Sequence, residues 1–155
     1  MRKTYTFDDV LLVPKYSEIE SRSQVDLSSN LDKNIKLKLP LISSPMDTVT
    51  EAPMAMALDA AGALGVIHRY NTISEQSELV NRAYTTGAEN IAAAIGMTGD
   101  YMNRAEELAK AGANVLCVDV AHGHHFMMKD CLSSLKKAFS KDMHVMAGNV
   151  ATIDA

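Results

Sequence analysis

One apolar strand that ends in a carboxylate constrains the fold of this chain more than any other stretch. Residues 114–125 read Asn-Val-Leu-Cys-Val-Asp-Val-Ala-His-Gly-His-His. A short apolar run before a glycine turn is typical of a parallel strand that is buried on both faces. Because an unpaired buried charge is costly, Asp119 either faces a cleft or holds a partner. The residue is therefore a candidate ligand contact or a structural cap of the next turn.

The size and charge of the chain exclude several classes of protein. Its 155 residues fit one domain, and a hydrophobic content of 47% is ordinary for a globular protein. The net charge of -4 leaves no basic excess for binding nucleic acid or a membrane. No apolar run reaches the roughly 18 residues of a membrane span, and the amino terminus lacks a signal-peptide pattern. Cys117 and Cys131 form no CxxC pair, which disfavours zinc and suits a reducing compartment. We expect a cytoplasmic protein.

The order of the predicted elements indicates an α/β fold. From residue 40 onward, strand-like segments alternate with helical ones, which is the pattern of parallel sheets with right-handed crossovers. Residues 1–39 differ, because Ile35, Leu37 and Leu39 alternate with lysines as in a strand with one wet face, and we interpret them as an antiparallel preface. The predicted strands are 41–46, 63–68, 90–96, 114–119 and 144–150, and the predicted helices are 48–62, 72–86, 100–111 and 126–139.

Two of the helices begin with a capping-box pattern. Thr48 and Glu51 precede the first helix, and Thr72 and Glu75 open the second. In such a pattern the threonine and the glutamate each satisfy a free backbone N–H of the first turn. Glycines at the predicted helix ends suit the left-handed conformation that stops a helix.

A doubly wound sheet and a (β/α) barrel both fit this alternation. Two features favour the barrel, since no G-x-G-x-x-G follows a strand and polar residues recur where strands end. In either architecture the carboxyl ends of the strands converge on one face, which makes these residues a site hypothesis. They are Ser44, His68, Asp119 and Asn149. An eight-stranded barrel needs roughly 200 residues or more, so about five βα units would form a little over half of one.

Five segments in order along the chain resemble the IMP dehydrogenase and GMP reductase family. They are residues 6–14, 41–51, 65–69, 118–124 and 147–152. The resemblance implies that residues 1–155 are the amino-terminal portion of a (β/α)8 TIM barrel, with residues 1–39 as the β preface and residues 40–155 as the βα units. It also implies a homotetramer that acts on a purine nucleotide, IMP or GMP, with a nicotinamide cofactor.

The chemistry of the family needs a cysteine that this chain does not supply in the expected place. In members, a thiolate on a mobile loop after the sixth strand attacks C2 of the purine. The dehydrogenase then passes a hydride to NAD, with a monovalent cation such as potassium in the enzyme, whereas the reductase uses NADPH to convert GMP to IMP and ammonia. Neither Cys117 nor Cys131 lies on an exposed loop of this kind. We expect the nucleophile beyond Ala155, and the segment alone to be inactive.

The resemblance assigns roles to residues at the carboxyl ends of the strands. The residues that match nucleotide-lining positions are Ser44, Met46 and Asn149. Those that match cofactor-binding positions are Asp119, Val120, Ala121 and Arg69, where relatives often carry His or Lys in place of the arginine. A carboxylate only accepts hydrogen bonds, which suits ribose hydroxyls. We interpret His68 as a core histidine and the three histidines of residues 122–125 as a turn without a metal.

Two activities within the family leave conflicting signals. Residues 44–51 resemble the dehydrogenase, whereas Asp119-Val120-Ala121 resembles the reductase, because dehydrogenases usually have serine after the aspartate. We favour IMP dehydrogenase, with GMP reductase and a non-catalytic half-barrel as the alternatives. Dehydrogenases commonly insert regulatory cystathionine-β-synthase-type modules after the second helix. Residues 86–89 pass directly from helix to strand here, so we expect no such modules.

Overall fold

The computed structural model describes residues 3–139 and 141–155. These residues contain seven strands and four α-helices, preceded by a short 3-10 helix at Arg22–Gln24. The strands are β1 (Ser29–Asn30), β2 (Lys36–Leu37), β3 (Ile42–Ser43), β4 (Leu64–Ile67), β5 (Ala92–Ile95), β6 (Val115–Asp119) and β7 (His144–Gly148). The helices are α1 (Ala52–Ala60), α2 (Ile73–Thr85), α3 (Tyr101–Lys110) and α4 (Phe126–Ala138).

The five strands from β3 to β7 form one parallel sheet in sequence order, which curls into half of a barrel. The predicted α/β fold is therefore confirmed. Along the hydrogen-bonded rows, Val66 near the end of β4 is level with Ala92, Val115 and His144 at the start of the next three strands. This stagger tilts the strands, as the closure of a barrel requires.

Alternate residues of each strand enter two separate cores. On the outer face, Ile67, Ile95 and Val118 pack among the apolar faces of the helices, together with Val80 and Leu108. On the inner face, a second cluster joins strand residues to the preface; it comprises Leu64, Val66, Ala92, Ala94, Val115, Ile35 and Leu37. The period of two along a strand explains this division.

Helix α1 lies unusually close to the sheet. A Cβ built on Gly65 would stand 2.4 Å from the Cα of Ala55, a separation that no side chain tolerates. Glycine at this position of β4 therefore lets the backbones of helix and strand meet.

The preface is antiparallel, as predicted. Strand β1 pairs with β2, with Ser29 opposite Leu37. Ile35 and Leu37 are buried below the inner face at the amino end of the sheet. Asp32 connects the two parts, because its carboxylate accepts hydrogen bonds from the backbone N–H groups of Asn34 and Ile35 and also contacts the ring of His144 at the start of β7.

One of the two predicted capping boxes forms, and the other was wrong. At α2, Glu75 N donates to the Thr72 hydroxyl at 3.2 Å, and Thr72 N donates to the Glu75 carboxylate at 2.8 Å. Helix α1 instead begins at Ala52, after Glu51, whose side chain makes no capping hydrogen bond. A helix that began just after Thr48 would place Pro53 beyond its first turn, where proline lacks the N–H for the helical hydrogen bond; α1 therefore begins later, with the proline in its first turn.

Candidate active site

The polar residues predicted to converge do lie at one edge of the sheet. Ser44 follows β3, His68 follows β4 and is followed by Arg69, Asp119 ends β6 and Asn149 follows β7. Because all five strands run parallel, their carboxyl ends share this edge, which we call the carboxyl edge. The contacts at the carboxyl edge divide into two groups, one around Asp119 and one around Ser44.

The first group joins the ends of β4, β6 and β7. Arg69 Nη2 donates to the backbone carbonyl of Asp119 at 3.3 Å. Beyond the strands, Val120 N donates to Gly148 O at 3.0 Å and Asn149 N donates to Val120 O at 2.7 Å. Four predicted site residues, Arg69, Asp119, Val120 and Asn149, are thus held in one hydrogen-bonded network.

The turn after β6 packs tightly on the end of β7. Gly123 N donates to Asn149 O at 2.7 Å, and a Cβ on Gly123 would stand 2.9 Å from that same oxygen. Glycine is required here for the turn that carries Ala121 to lie against β7. Gly148 differs, because a Cβ built there would meet no atom within 4 Å. The space beside Gly148 is therefore open to a ligand.

The second group surrounds Ser44 and Met46, whose side chains are both exposed. A turn forms where Met46 N donates to Ser44 O at 2.9 Å and Thr50 N donates to Met46 O at 3.0 Å. The Thr50 hydroxyl is 2.7 Å from both Ser43 Oγ and Ser44 O. The Thr50 carbonyl accepts from His68 N at 3.2 Å, which connects this group to the residue before Arg69.

His68 is buried, as expected for a core histidine, with 4% of its surface exposed. Its Nδ1 accepts a hydrogen bond from Tyr70 N at 3.1 Å. A neutral imidazole that accepts at Nδ1 carries its proton on Nε2. That nitrogen points toward Glu51, with 3.7 Å between Nε2 and Oε1.

A polar cavity of about 170 Å³ adjoins Arg69. Its lining comprises Arg69, Gly96, Met97, Thr98, Asp100, Arg104 and Val120. The Nε of Arg69 is buried and has no hydrogen-bond partner within the described residues. Two guanidinium groups beside one carboxylate leave a surplus of donors, which suits an anionic oxygen such as that of a phosphate.

Gln76 supports this cavity and could not be singled out from the sequence alone. It is fully buried on α2, where its Nε2 donates to Ala94 O at 2.9 Å and its Oε1 accepts from Arg104 Nη1 at 2.8 Å. Its spacing from Val80 and Ala83 places it on the apolar stripe of the helix. A polar residue in such a stripe was the one available signal.

Neither cysteine in the described residues has the character of a nucleophile. Burial and, to a lesser extent, the nearby Asp119 carboxylate together raise the pKa of the Cys117 thiol to about 11. Burial also raises the pKa of Cys131. Both residues are therefore thiols rather than thiolates at neutral pH.

The histidine-rich turn begins α4. His125 is the N-cap residue of that helix, and its Nδ1 accepts from Met127 N at 3.3 Å. The rings of His122 and His124 are 6.5 Å apart between centroids. Across residues 3–139 and 141–155, no three His, Cys, Asp or Glu side chains are grouped so that they could hold a metal ion. Over the same residues, no helix has the length and apolar character needed to cross a membrane.

The sequence is similar to known proteins along its whole length. The family model described as IMP dehydrogenase / GMP reductase domain matches residues 4–155. An inosine-5'-monophosphate dehydrogenase of Nitrosopumilus maritimus is 54% identical over 83 residues, which are 54% of this chain and 17% of the relative. The enzyme of the same name from Cryptosporidium parvum is 33% identical over 195 residues, 99% of this chain and 48% of the relative.

A third relative, the inosine-5'-monophosphate dehydrogenase of Borreliella burgdorferi, is 29% identical over 203 residues, 99% of this chain and 50% of the relative. The chain thus spans about half the length of the two relatives that match nearly all of it. Both alignments are longer than its 155 residues, so these relatives carry additional residues within the matched region. The family match over residues 4–155 shows that the chain belongs to the IMP dehydrogenase / GMP reductase family.

Proposed function

We propose that this chain supplies the amino-terminal half of a purine-nucleotide dehydrogenase that converts IMP, NAD and water to XMP and NADH. The observation that carries the proposal is the pair of relatives that align with 99% of the chain, both of which bear the name inosine-5'-monophosphate dehydrogenase. Parallel βα units with open polar groups at their carboxyl ends support it, since barrel enzymes bind their substrates on that face.

In this proposal, Ser44, Met46 and Asn149 bind the purine nucleotide. The exposed thioether of Met46 offers a polarizable apolar surface for the face of a base. The Ser44 hydroxyl and the Asn149 amide can each donate and accept hydrogen bonds, as a nucleotide with hydroxyl and carbonyl groups requires. The open space beside Gly148 gives the ligand access to Asn149.

Asp119, Val120, Ala121 and Arg69 bind the cofactor in the same proposal. The Asp119 carboxylate accepts hydrogen bonds from ribose hydroxyls, and the guanidinium of Arg69 pairs with a cofactor phosphate. The partnerless Nε of Arg69, beside a polar cavity with a second arginine, fits an anionic group. NAD, when bound, supplies the acceptor for the hydride.

The remaining parts of the proposal concern the complete protein. Because both cysteines here have raised pKa values, the reacting thiolate comes from residues outside this sequence. The complete enzyme binds a monovalent cation such as potassium, assembles as a homotetramer and works in the cytoplasm.

The decisive experiment assays the complete protein with IMP plus NAD and, separately, with GMP plus NADPH. We expect NADH to form only when IMP is present, which absorbance of the reduced nicotinamide measures. A reaction without purine nucleotide is the control for other oxidations. Turnover of GMP plus NADPH alone would reject the dehydrogenase and establish the reductase, the candidate that Val120 and Ala121 favour. No turnover and no nucleotide binding would leave the non-catalytic half-barrel.

A further inference from the structure

A single buried threonine joins the two groups of the carboxyl edge. Thr50 is completely buried and uses every polar group that it has. Its hydroxyl contacts Ser43 Oγ and Ser44 O at 2.7 Å each, and its carbonyl accepts from His68 N at 3.2 Å. The Ser43 hydroxyl in turn accepts from Val66 N at 3.3 Å. This series of bonds attaches residues 44–50 to strand β4.

The contacts of Thr50 are directed at the turn and not at the helix that follows. Helix α1 begins at Ala52 with Glu51 as its N-cap, so the Thr50 hydroxyl caps no helix. It points back to the end of β3, where it satisfies the carbonyl of Ser44. The side chains of Ser44 and Met46 are exposed on this turn. The Thr50 hydroxyl fixes the backbone that carries them, because it bonds to the carbonyl of Ser44.

We propose that Thr50 is a positioning residue for the purine nucleotide, an inference that rests on the function proposed above. Its hydroxyl holds Ser44 and Met46 in the orientation that binds the purine, while its backbone carbonyl holds the start of the segment that carries Arg69. Loss of the hydroxyl therefore disturbs the purine side and leaves the cofactor side in place. Small displacements of substrate-positioning groups have large effects on rate and affinity.

The test measures Michaelis constants for IMP and NAD in the complete protein and three variants. Thr50→Val keeps the shape of the side chain but removes the hydroxyl, and we expect the KM for IMP to rise about 10-fold with the KM for NAD changed less than about 2-fold. Thr50→Ser keeps the hydroxyl and should restore the wild-type value for IMP.

Thr85→Val is the matched control. The Thr85 hydroxyl bonds to backbone carbonyls of α2, at 2.9 Å to Asn81 O and 3.2 Å to Arg82 O, and it is far along the chain from the carboxyl edge. Its removal should leave both constants unchanged. A Thr50→Val enzyme with unchanged constants, or with both raised equally, would overturn the proposal, as would a Thr50→Ser enzyme that is equally impaired.

Two further measurements keep the outcomes separate. If Thr50→Val does not fold, Ser43→Ala removes one partner of the Thr50 hydroxyl and leaves its bond to Ser44. We expect the KM for IMP to rise roughly 3-fold in this variant, and no rise would reject the inference.

If the wild-type protein does not oxidise IMP, the proposed function fails instead. Equilibrium binding of IMP and GMP to the wild-type and Thr50 variants then decides the role of Thr50, and equal affinities would reject it.

Discussion

The two ends of the sheet differ in what their side chains contact. At the amino end, Ile35 and Leu37 close the inner core, and Asp32 ties the preface to β7. At the carboxyl edge, Ser44 and Met46 are exposed and Gly148 borders open space. In barrels the amino end serves stability and the carboxyl end serves ligands. The difference predicts that substitutions at one end change unfolding and those at the other change binding.

The largest effect is expected from Leu37→Ala. Leu37 is buried in the inner core, so its truncation leaves a cavity and should lower the free energy of unfolding by about 3 kcal/mol. Denaturant unfolding measures this, and the KM values should not change. Leu41→Ala is the control, because the Leu41 side chain is about half exposed and its loss should cost less than about 1 kcal/mol. Equal losses of unfolding free energy in Leu37→Ala and Leu41→Ala would contradict the conclusion that the buried amino end determines stability.

Asp119→Ala should weaken ligand binding and leave the free energy of unfolding nearly unchanged. We expect the KM for the nicotinamide cofactor to rise roughly 10- to 100-fold, because hydrogen bonds to a charged group are lost, with little change in unfolding. The KM for the purine nucleotide should change far less. Asp130→Ala, an exposed carboxylate on α4, controls for charge. An equal rise for both substrates would reject the role of Asp119.

A pair of glycine substitutions sharpens the comparison within the carboxyl edge. Gly123→Ala places a methyl group 2.9 Å from Asn149 O and should destabilise the protein by about 1–2 kcal/mol. Gly148→Ala meets no protein atom within 4 Å and should unfold like the wild type, yet bind IMP more weakly. Thermal unfolding and nucleotide binding separate the two. Normal IMP binding by Gly148→Ala would show that the open space is not used.

The smallest effect concerns pH at the amino end. Partial burial by itself would raise the pKa of Asp32. The N–H groups of Asn34 and Ile35 and the ring of His144 together outweigh burial and hold that pKa below its ordinary value of 3.8. Its contribution to stability is therefore present above that value and is lost as pH falls through the lowered pKa. Asp32→Asn should cost less than about 1 kcal/mol at neutral pH, because the side chain is partly exposed.

Urea unfolding of wild type and Asp32→Asn at neutral and acidic pH measures the contribution of Asp32. The difference between the two proteins should shrink as the solution is acidified. A difference that stayed constant, or grew, would contradict the assignment.

Much of the fold was predictable because its signals are local. Apolar runs indicated strands β4 to β7, and the Thr72–Glu75 pattern indicated the start of α2. The Thr48–Glu51 pattern failed because Thr50 bonds back to β3 and proline occupies the first turn of α1. A capping pattern does not encode such contacts between elements, which depend on the assembled sheet.

The residues of the candidate site were predictable to a similar extent. The pattern of polar residues at strand ends predicted that Ser44, Asp119 and Asn149 lie at one edge, since parallel strands must bring their carboxyl ends together. The buried contacts of Thr50 and Gln76 were missed, because they form only between elements that are distant along the chain or in the folded turn. A buried threonine and an exposed one look alike in sequence.

The close contact between Gly65 and Ala55 has a consequence for ligand binding. The backbones of α1 and β4 are in contact at these two residues, and the turn before the helix is bonded to the end of β3 and to the residue after β4 through Thr50. If Ser44 and Met46 bind the purine nucleotide as proposed, that ligand meets a preformed surface. Little conformational freedom remains to be lost on association, so most of the contact energy is retained as affinity.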